Sequence, residues 1–190
     1  VKKLARSNVL VHEMNCVETL ARVNVLCVDK TGTITRPDMS VSDVVFLKDN
    51  VGKLIAGVAG NMDDDNETMK AIKNYYHITG RDNSAERVYS FSSQNKYSGA
   101  VLDGRCYIFG APEYVLLDTY AEYEDIFERY SGHGERILVF GECVGDPCGN
   151  IIEEAVNPYA FIILENEIRD TAKETFGYFA SQGVDIVVIS

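Results

Sequence analysis

The hydrophobic positions of the chain follow two different patterns. Near both ends they form almost uninterrupted apolar runs, at residues 23–28 (VNVLCV), 159–164 (YAFIIL) and 184–189 (VDIVVI). Runs rich in β-branched residues are typical of strands that are buried on both faces of a parallel sheet. The two ends of the chain are therefore predicted to form parallel α/β structure.

The last 32 residues add a helix to this picture. Between the runs at 159–164 and 184–189, one face of an amphipathic helix is predicted to carry four apolar residues, Ile168, Ala172, Phe176 and Phe179. Gly183 is a natural helix stop. Residues 159–189 are therefore predicted to form a βαβ unit with a right-handed crossover.

The middle of the chain has short alternating segments instead. Strands are predicted at 39–47, 87–91, 99–102, 106–109 and 137–143, and helices at 66–77, 112–117 and 122–130. Asp103-Gly104 is a strong signal for a two-residue hairpin turn. This segment is predicted to be a mixed, mostly antiparallel α+β module.

Together these patterns predict an α/β plus α+β fold with an inserted domain. Residues 1–38 and 158–190 are expected to form two parts of a Rossmann-type parallel sheet, and residues 39–157 the domain inserted between them.

Composition narrows the function classes. Of the 190 residues, 46% are hydrophobic, which is enough to fill real cores, and the net charge of −11 argues against a nucleic-acid partner. The five cysteines are odd in number and form no C-x-x-C pair, as expected for reduced thiols. No run approaches the ~18 apolar residues of a membrane span, so the chain as given is expected to be soluble.

The polar string that follows the first apolar run carries the candidate chemistry. Asp29 stands at the carboxyl end of the predicted strand, where open α/β sheets place their ligands. A carboxylate can attack a γ-phosphoryl group to give an acyl phosphate if cations offset the charge, and Lys30 is next to it. Gly32 permits a sharp turn that points N–H groups at phosphoryl oxygens, and Thr31 and Thr33 add hydroxyls. Taken singly, these residues describe an ordinary turn after a strand.

The contiguous string DKTGTIT at residues 29–35 resembles the phosphorylation motif of the P-type ATPases, a branch of the haloacid dehalogenase-like fold. The resemblance implies that Asp29 accepts the γ-phosphoryl group of ATP, with Lys30, Thr31, Gly32 and Thr33 around it. It also implies that the Ser190 hydroxyl meets the phosphoryl oxygen, and that Mg²⁺ is held by Asp29 and the Thr31 carbonyl.

Other stretches extend this resemblance over nearly the whole chain. FSSQNK at 91–96, GAPE at 110–113, GER at 134–136 and the segment 165–190 are similar to motifs of the same family. By resemblance, six residues belong to the nucleotide site: Phe91, which stacks on adenine, with Glu67, Lys96, Gly110, Arg136 and Arg169.

Each of these residues also has a plain structural interpretation. Phe91 fits a core strand, Glu67 is favoured at a helix start by the helix dipole, and Gly110 fits an ordinary turn. Lys96 and Arg136 are also typical of surface residues in an acidic chain.

Two departures from the family pattern matter. Phe109 stands where the family usually has the lysine of K-G-A-P, which predicts a weaker affinity for ATP. The chain also stops at Ser190, where the family continues with Gly-Asp, so the phosphorylation domain is expected to be incomplete.

The leading hypothesis is the nucleotide-binding and phosphate-accepting part of an ATP-driven cation pump, on the cytoplasmic side of a cell membrane. Its expected partners are ATP, Mg²⁺ and the remaining domains and membrane helices of the pump. The sequence as a whole is most similar to bacterial cation pumps of the calcium-transporting-like group, which suggests that subgroup. The alternatives are a haloacid dehalogenase-like phosphatase, in which Thr31 replaces the usual acid/base aspartate, and a catalytically silent nucleotide-binding module.

Overall fold

The structure is a computed structural model that describes residues 10, 15–63, 66–131, 134–145, 147 and 150–189. The chain divides into two compact units. Unit 1 comprises Val1–Pro37 with Ile168–Ser190, and unit 2 comprises Asp38–Glu167. None of the described helices combines the length and apolar character needed to cross a bilayer.

The described elements follow one another along the chain in a simple order. They are α1 (Cys16–Leu20), β1 (Val25–Asp29), a turn at Lys30–Ile34, β2 (Thr35–Phe46), α2 (Val51–Asn61), α3 (Glu67–Tyr75), β3 (Arg87–Tyr89), β4 (Tyr97–Leu102), β5 (Arg105–Gly110), α4 (Pro112–Val115), a 3₁₀ helix (Leu117–Tyr123), α5 (Glu124–Ser131), β6 (Arg136–Glu142), β7 (Asn157–Ile168), α6 (Ala172–Ser181) and β8 (Asp185–Ile189).

Unit 1 contains a two-stranded parallel sheet. β1 pairs with β8 so that Val25 lies opposite Asp185 and Asp29 lies opposite Ile189. Gly183 ends α6 with a φ of 74°, and the Val184 N–H donates to the Phe179 carbonyl, which confirms the predicted helix stop. The mixed α/β character predicted for the ends of the chain is present here.

Unit 2 is built on a six-stranded sheet in the order β2-β7-β6-β5-β4-β3. The β4–β5 turn closes between Leu102 and Arg105, and Asp103 and Gly104 both have positive φ, which confirms the predicted hairpin. Helices α2 and α3 contribute to the core on one face, and α4 and α5 to the core on the other. The predicted antiparallel α+β module is therefore observed.

The predicted βαβ unit at 159–189 is wrong. Residues 159–164 lie in β7, which pairs antiparallel with β6 in unit 2, so residues 158–167 are on the other side of the predicted domain limit. The apolar run has another cause: both faces of this sheet are covered. Ala160, Ile162 and Leu164 enter one core, while Phe161 and Ile163 enter the other. The strand at 159–164 is therefore buried on both faces although it pairs antiparallel with its neighbour.

Two further expectations also fail. Ile168 ends β7 and is 63% exposed, so it does not begin the helix face predicted for α6. β1 and β8 are not buried on both faces: Val187 and Val188 are 46% and 50% exposed. With only two strands in the described sheet, their apolar side chains are covered by few neighbours.

Helix α2 was missed because three of its eleven residues are glycines, which lower helix propensity. Tertiary packing overrides that cost, since Ile55, Val58 and Ala59 are fully buried in the core.

Gly99→Ala is expected to destabilise unit 2, because the new Cβ would lie 2.2 Å from the Tyr107 carbonyl oxygen and 2.9 Å from the Ile108 Cα. Overpacking against backbone costs roughly 1–3 kcal/mol or more. Gly57→Ala is the matched control in α2, where the new Cβ meets only Leu102 Cδ1 at 3.9 Å. We expect it to raise stability by about 0.5–1 kcal/mol. Urea denaturation measures both, and equal effects would contradict the strand packing described here.

Candidate functional site

Asp29 occupies the position that the sequence predicts, at the carboxyl end of a strand of a parallel sheet. Its backbone lies opposite Ile189 of β8, and its side chain is exposed. Lys30 is half-buried, and Thr31, Gly32 and Thr33 are exposed. Ser190 lies outside the described residues, so its predicted role stays a prediction.

The segment Lys30–Ile34 is a closed turn with Gly32 at φ 78°, the left-handed region that glycine adopts without strain. Its two ends are joined by a hydrogen bond from the Thr35 N–H to the Lys30 carbonyl. Apart from its chain neighbours, no atom of the described residues lies within 4 Å of a Cβ built on Gly32, so the conformation, not crowding, favours glycine here.

Thr35 is the buried residue that fixes this turn from within. Its hydroxyl Oγ1 accepts from the Gly32 N–H at 3.2 Å and donates to the Lys30 carbonyl at 3.4 Å. The side chain is only 2% exposed. Sequence reasoning placed Thr35 in the phosphorylation motif but gave it no role; its signal was its position as the first residue of the next strand.

Arg169 lies on the same turn from the other side. Its Nε donates to the Thr33 carbonyl and its Nη2 to the Gly32 carbonyl, both at 3.0 Å. Its own backbone N–H donates to the Ile34 carbonyl at 2.9 Å. The structure therefore brings Arg169 to the Asp29 turn, whereas the sequence analysis assigned it to the nucleotide group.

A second group of predicted residues gathers at one end of the sheet of unit 2. Lys96 immediately precedes β4, whose first residue Tyr97 lies opposite Gly110 at the end of β5. Gly110 in turn lies opposite Val139 of β6, and Arg136 begins that strand. The antiparallel pairing therefore places Lys96, Gly110 and Arg136 at the same end of the sheet, on neighbouring strands.

Phe91 lies two residues beyond β3, at the end of that strand where β4 begins. It is 47% exposed, so the core-strand interpretation of this aromatic is wrong and its ring is accessible. The turn that follows is tight, because the Lys96 N–H donates to the Ser92 carbonyl at 2.8 Å.

Lys96 itself has φ 59°, a left-handed conformation that is uncommon for a residue with a side chain. Its carbonyl accepts from the Ala111 N–H at 3.1 Å, which joins the two predicted nucleotide motifs directly. Its Nζ lies 6.0 Å from the centre of the Tyr114 ring, which is 47% exposed. Sequence reasoning missed Tyr114, which only tertiary contact identifies.

Gly110 has a packing reason to be glycine. An added Cβ would lie 2.3 Å from Val115 Cγ1 and 3.2 Å from the Tyr97 Cβ. Phe109, its neighbour, is 2% exposed, and its ring centre lies 4.9 Å from that of Phe140 in the core. The position that carries lysine in the resembled family is therefore filled here by a buried ring.

Glu67 shows the structural features expected at a helix start. Asn66 caps α3 by accepting the Met69 N–H, and Glu67 pairs with Lys70 at 2.7 Å. Its neighbour Thr68 contacts Met39 of β2, at the opposite edge of the sheet from β3. The described contacts do not join Glu67 to the group around Lys96.

The oxygen donors predicted for Mg²⁺ fit that ion chemically, because hard cations prefer carboxylate and carbonyl oxygens. Asp29 and Thr31 supply one of each kind. Within the described ranges, no group of three or more His, Cys, Asp or Glu residues is arranged to hold a metal. Mg²⁺ usually keeps several waters and binds substrate phosphates, which two protein ligands suit.

Comparison with known proteins gives close relatives over the whole chain. It is 37% identical over 192 residues to the calcium-transporting ATPase CtpE of Mycolicibacterium smegmatis, a match that covers 100% of this chain and 24% of that protein. It is 34% identical over 198 residues to the probable cation-transporting ATPase exp7 of Streptococcus pneumoniae, covering 100% of this chain and 25% of that protein. The chain thus spans about a quarter of the length of these relatives.

Solved structures share the fold at low sequence identity. The catalytic domain of the CPx-ATPase CopB-B matches with a TM-score of 0.65 at 12% identity, covering 98% of this chain and 61% of that one. A zinc-transporting PIB-type ATPase in the E2.Pi state matches with a TM-score of 0.62 at 17% identity, covering 90% and 26%. No family model matches the chain.

Thr35→Val is expected to loosen the turn, because it keeps the side-chain shape but removes the hydroxyl that accepts the Gly32 N–H. A net hydrogen bond of about 1 kcal/mol corresponds to roughly fivefold faster amide exchange at Gly32. Hydrogen exchange followed by NMR measures this. Thr35→Ser keeps the hydroxyl and should leave the Gly32 rate close to that of the wild type; an equal rise in both variants would count against the contact.

Proposed function

Since this chain belongs to the P-type cation-transporting ATPases, we propose that it is the nucleotide-binding and phosphate-accepting part of an ATP-driven cation pump. The observation that carries this proposal is the position of Asp29 on the tip of a parallel strand, directly before a glycine-containing turn. The relatives' names support cation transport, and the identity of the ion stays outside the proposal.

In the proposed reaction, a carboxylate oxygen of Asp29 forms a bond to the γ-phosphorus of ATP. The bond from that phosphorus to the β–γ bridging oxygen breaks, and ADP leaves with the electron pair. Water later cleaves the acyl phosphate, which releases inorganic phosphate and restores the carboxylate. The exposure of Asp29 supports this role, because the attacking oxygen must be accessible.

Residues of the turn, together with a bound Mg²⁺, would stabilise the phosphoryl group. Lys30 follows Asp29 directly in the chain and supplies positive charge, and Gly32 shapes a turn of backbone N–H groups. Mg²⁺, held by Asp29 and Thr31, would neutralise charge on the phosphoryl oxygens when bound. The Ser190 hydroxyl remains a further proposed donor.

ATP is proposed to bind at the end of the unit 2 sheet that carries Lys96, Gly110 and Arg136. The exposed ring of Phe91 supports adenine stacking, and the two cations support contacts to phosphates. A side chain at position 110 would collide with Val115, so we assign Gly110 a packing role at this end of the sheet. Its direct contact with the base stays a prediction. The role of Glu67 at the nucleotide stays a prediction, because its described ion pair is with Lys70 and does not join it to this group.

In finer detail, we propose that unit 1 is part of a haloacid dehalogenase-like sheet on the cytoplasmic side of a membrane, with the remaining domains of the pump as its partners. The parallel β1–β8 pair and the structural neighbours support that fold. A phosphatase of the same fold is the second candidate, and Thr31 in place of an acid/base aspartate disfavours it, because hydrolysis would lack a local base.

ATP titration of this chain, followed by backbone amide NMR shifts, should perturb residues 91–96, Gly110 and Arg136 most strongly. Phe91→Ala is expected to weaken binding at least about fivefold, because stacking of a base on an aromatic ring is worth roughly 1 kcal/mol or more. Lys96→Gln should weaken it by a similar factor.

Lys53→Gln is the matched control for charge, since Lys53 is an exposed lysine of α2 in the same unit. We expect its dissociation constant to stay within twofold of that of the wild type. Shifts that cluster elsewhere, or equal losses in the Lys53 and Lys96 variants, would refute the proposed nucleotide site.

Phosphorylation of the complete pump by ATP labelled on the γ-phosphate should give an acid-stable, hydroxylamine-sensitive product that Asp29→Asn abolishes, because an amide is not a nucleophile. Asp185→Asn is the control: Asp185 lies at the other end of the same two-stranded sheet. Label that survives in the Asp29→Asn protein would exclude Asp29 as the acceptor, and rapid Asp29-dependent hydrolysis of small phosphate esters would favour the phosphatase.

A further inference from the structure

The turn after β1 presents three successive carbonyls to one residue. Gly32 and Thr33 receive hydrogen bonds from the Arg169 guanidinium, and Ile34 receives one from the Arg169 backbone N–H, all at 2.9–3.0 Å. A guanidinium is planar with donors in a fixed fork, so two such bonds define the direction of both acceptors. Arg169 therefore constrains the shape of the turn, not only its charge.

The direction of these carbonyls determines the direction of the adjoining amides. In a trans peptide, the carbonyl of one residue and the N–H of the next point in opposite directions. The Thr33 and Ile34 N–H groups, which follow the carbonyls of Gly32 and Thr33, are therefore turned away from the guanidinium. A turn with this orientation presents amide donors on the side opposite Arg169, as an anion-binding turn requires.

Arg169 is itself fixed by its backbone. It follows directly after β7, its N–H is bonded to the Ile34 carbonyl, and its carbonyl accepts from the Ala172 N–H at 2.9 Å. These two bonds fix the backbone on both sides of the Arg169 Cα, so mainly side-chain rotamer entropy is lost when the guanidinium binds the turn.

We propose that Arg169 is a positioning residue that holds the turn after Asp29 in the shape that receives a phosphoryl group. This inference rests on the proposed function of Asp29. It differs from the role that the sequence resemblance implies, in which Arg169 belongs to the nucleotide site. A nucleotide contact would act on ATP affinity, whereas a positioning residue acts on the rate of transfer to Asp29.

The test is the complete pump with Arg169→Gln and Arg169→Lys, measured for both ATP affinity and the rate of phosphoenzyme formation. We expect each variant to form phosphoenzyme at least about tenfold more slowly, with the dissociation constant for ATP within twofold of the wild type. Lysine should not rescue the rate, because one ammonium group does not reproduce the guanidinium fork on the two carbonyls.

Arg36→Gln is the matched control. It removes a nearby arginine whose partner is the exposed Asp170 carboxylate. Exposed pairs of this kind contribute little, so the phosphorylation rate should stay within twofold of the wild type. Amide NMR spectra of this 190-residue chain supply the second measurement: both Arg169 variants should shift and accelerate exchange at Thr33 and Ile34 while the β1–β8 amides stay protected.

The outcomes separate cleanly. A raised dissociation constant for ATP with an unchanged rate, full rescue by lysine, or loss of β1–β8 protection would overturn the positioning role while leaving the role of Asp29 intact. Phosphoenzyme in the Asp29→Asn protein would instead overturn the proposed function, and the positioning role with it. A slower rate at constant affinity, with local changes only in the turn, supports the inference.

Discussion

Hydrogen bonding of the five-residue turn after β1 is the constraint on which the proposed site depends. A sharp turn at a strand end leaves carbonyl and amide groups that have no partner in a sheet, and each must be satisfied or solvated. Here Thr35, which directly follows the turn, accepts the Gly32 N–H. Arg169, which lies more than a hundred residues later in the sequence, donates to the Thr33 carbonyl. The hydrogen bonds of the turn are therefore completed by a residue that follows the return of the chain to unit 1.

That return explains why a large domain can be inserted at this point. The chain leaves unit 1 along β2 and comes back along β7, two strands that are neighbours in the six-stranded sheet. Pairing of the outgoing and returning strands fixes where each one ends, and so places Arg169 beside Ile34. Elsewhere in unit 2, antiparallel pairing gathers the ends of β4, β5 and β6 at one end of the sheet, where the candidate nucleotide residues lie.

Sequence reasoning succeeded where local chemistry decides the structure. The turn at Asp103-Gly104, the helix stop at Gly183 and the strand-end position of Asp29 depend on a few adjacent residues, and each was predictable. It failed for the strand at 159–164, because burial of both faces gives the same apolar run in parallel and antiparallel sheets. The contacts of Arg169 and Tyr114 were not predictable either, since they join segments that are separated in sequence and meet only in the folded chain.

Phe109 has a consequence for how this protein can diverge from its relatives. Its ring is packed against Phe140 in a closed core, so exchange to the lysine found in the resembled family would place an ammonium group among apolar side chains. A lysine at this position would therefore need a smaller residue at 140 or a route by which its ammonium group reaches solvent. Because the two rings are in contact, substitutions at 109 and 140 are expected to be non-additive in their effect on stability.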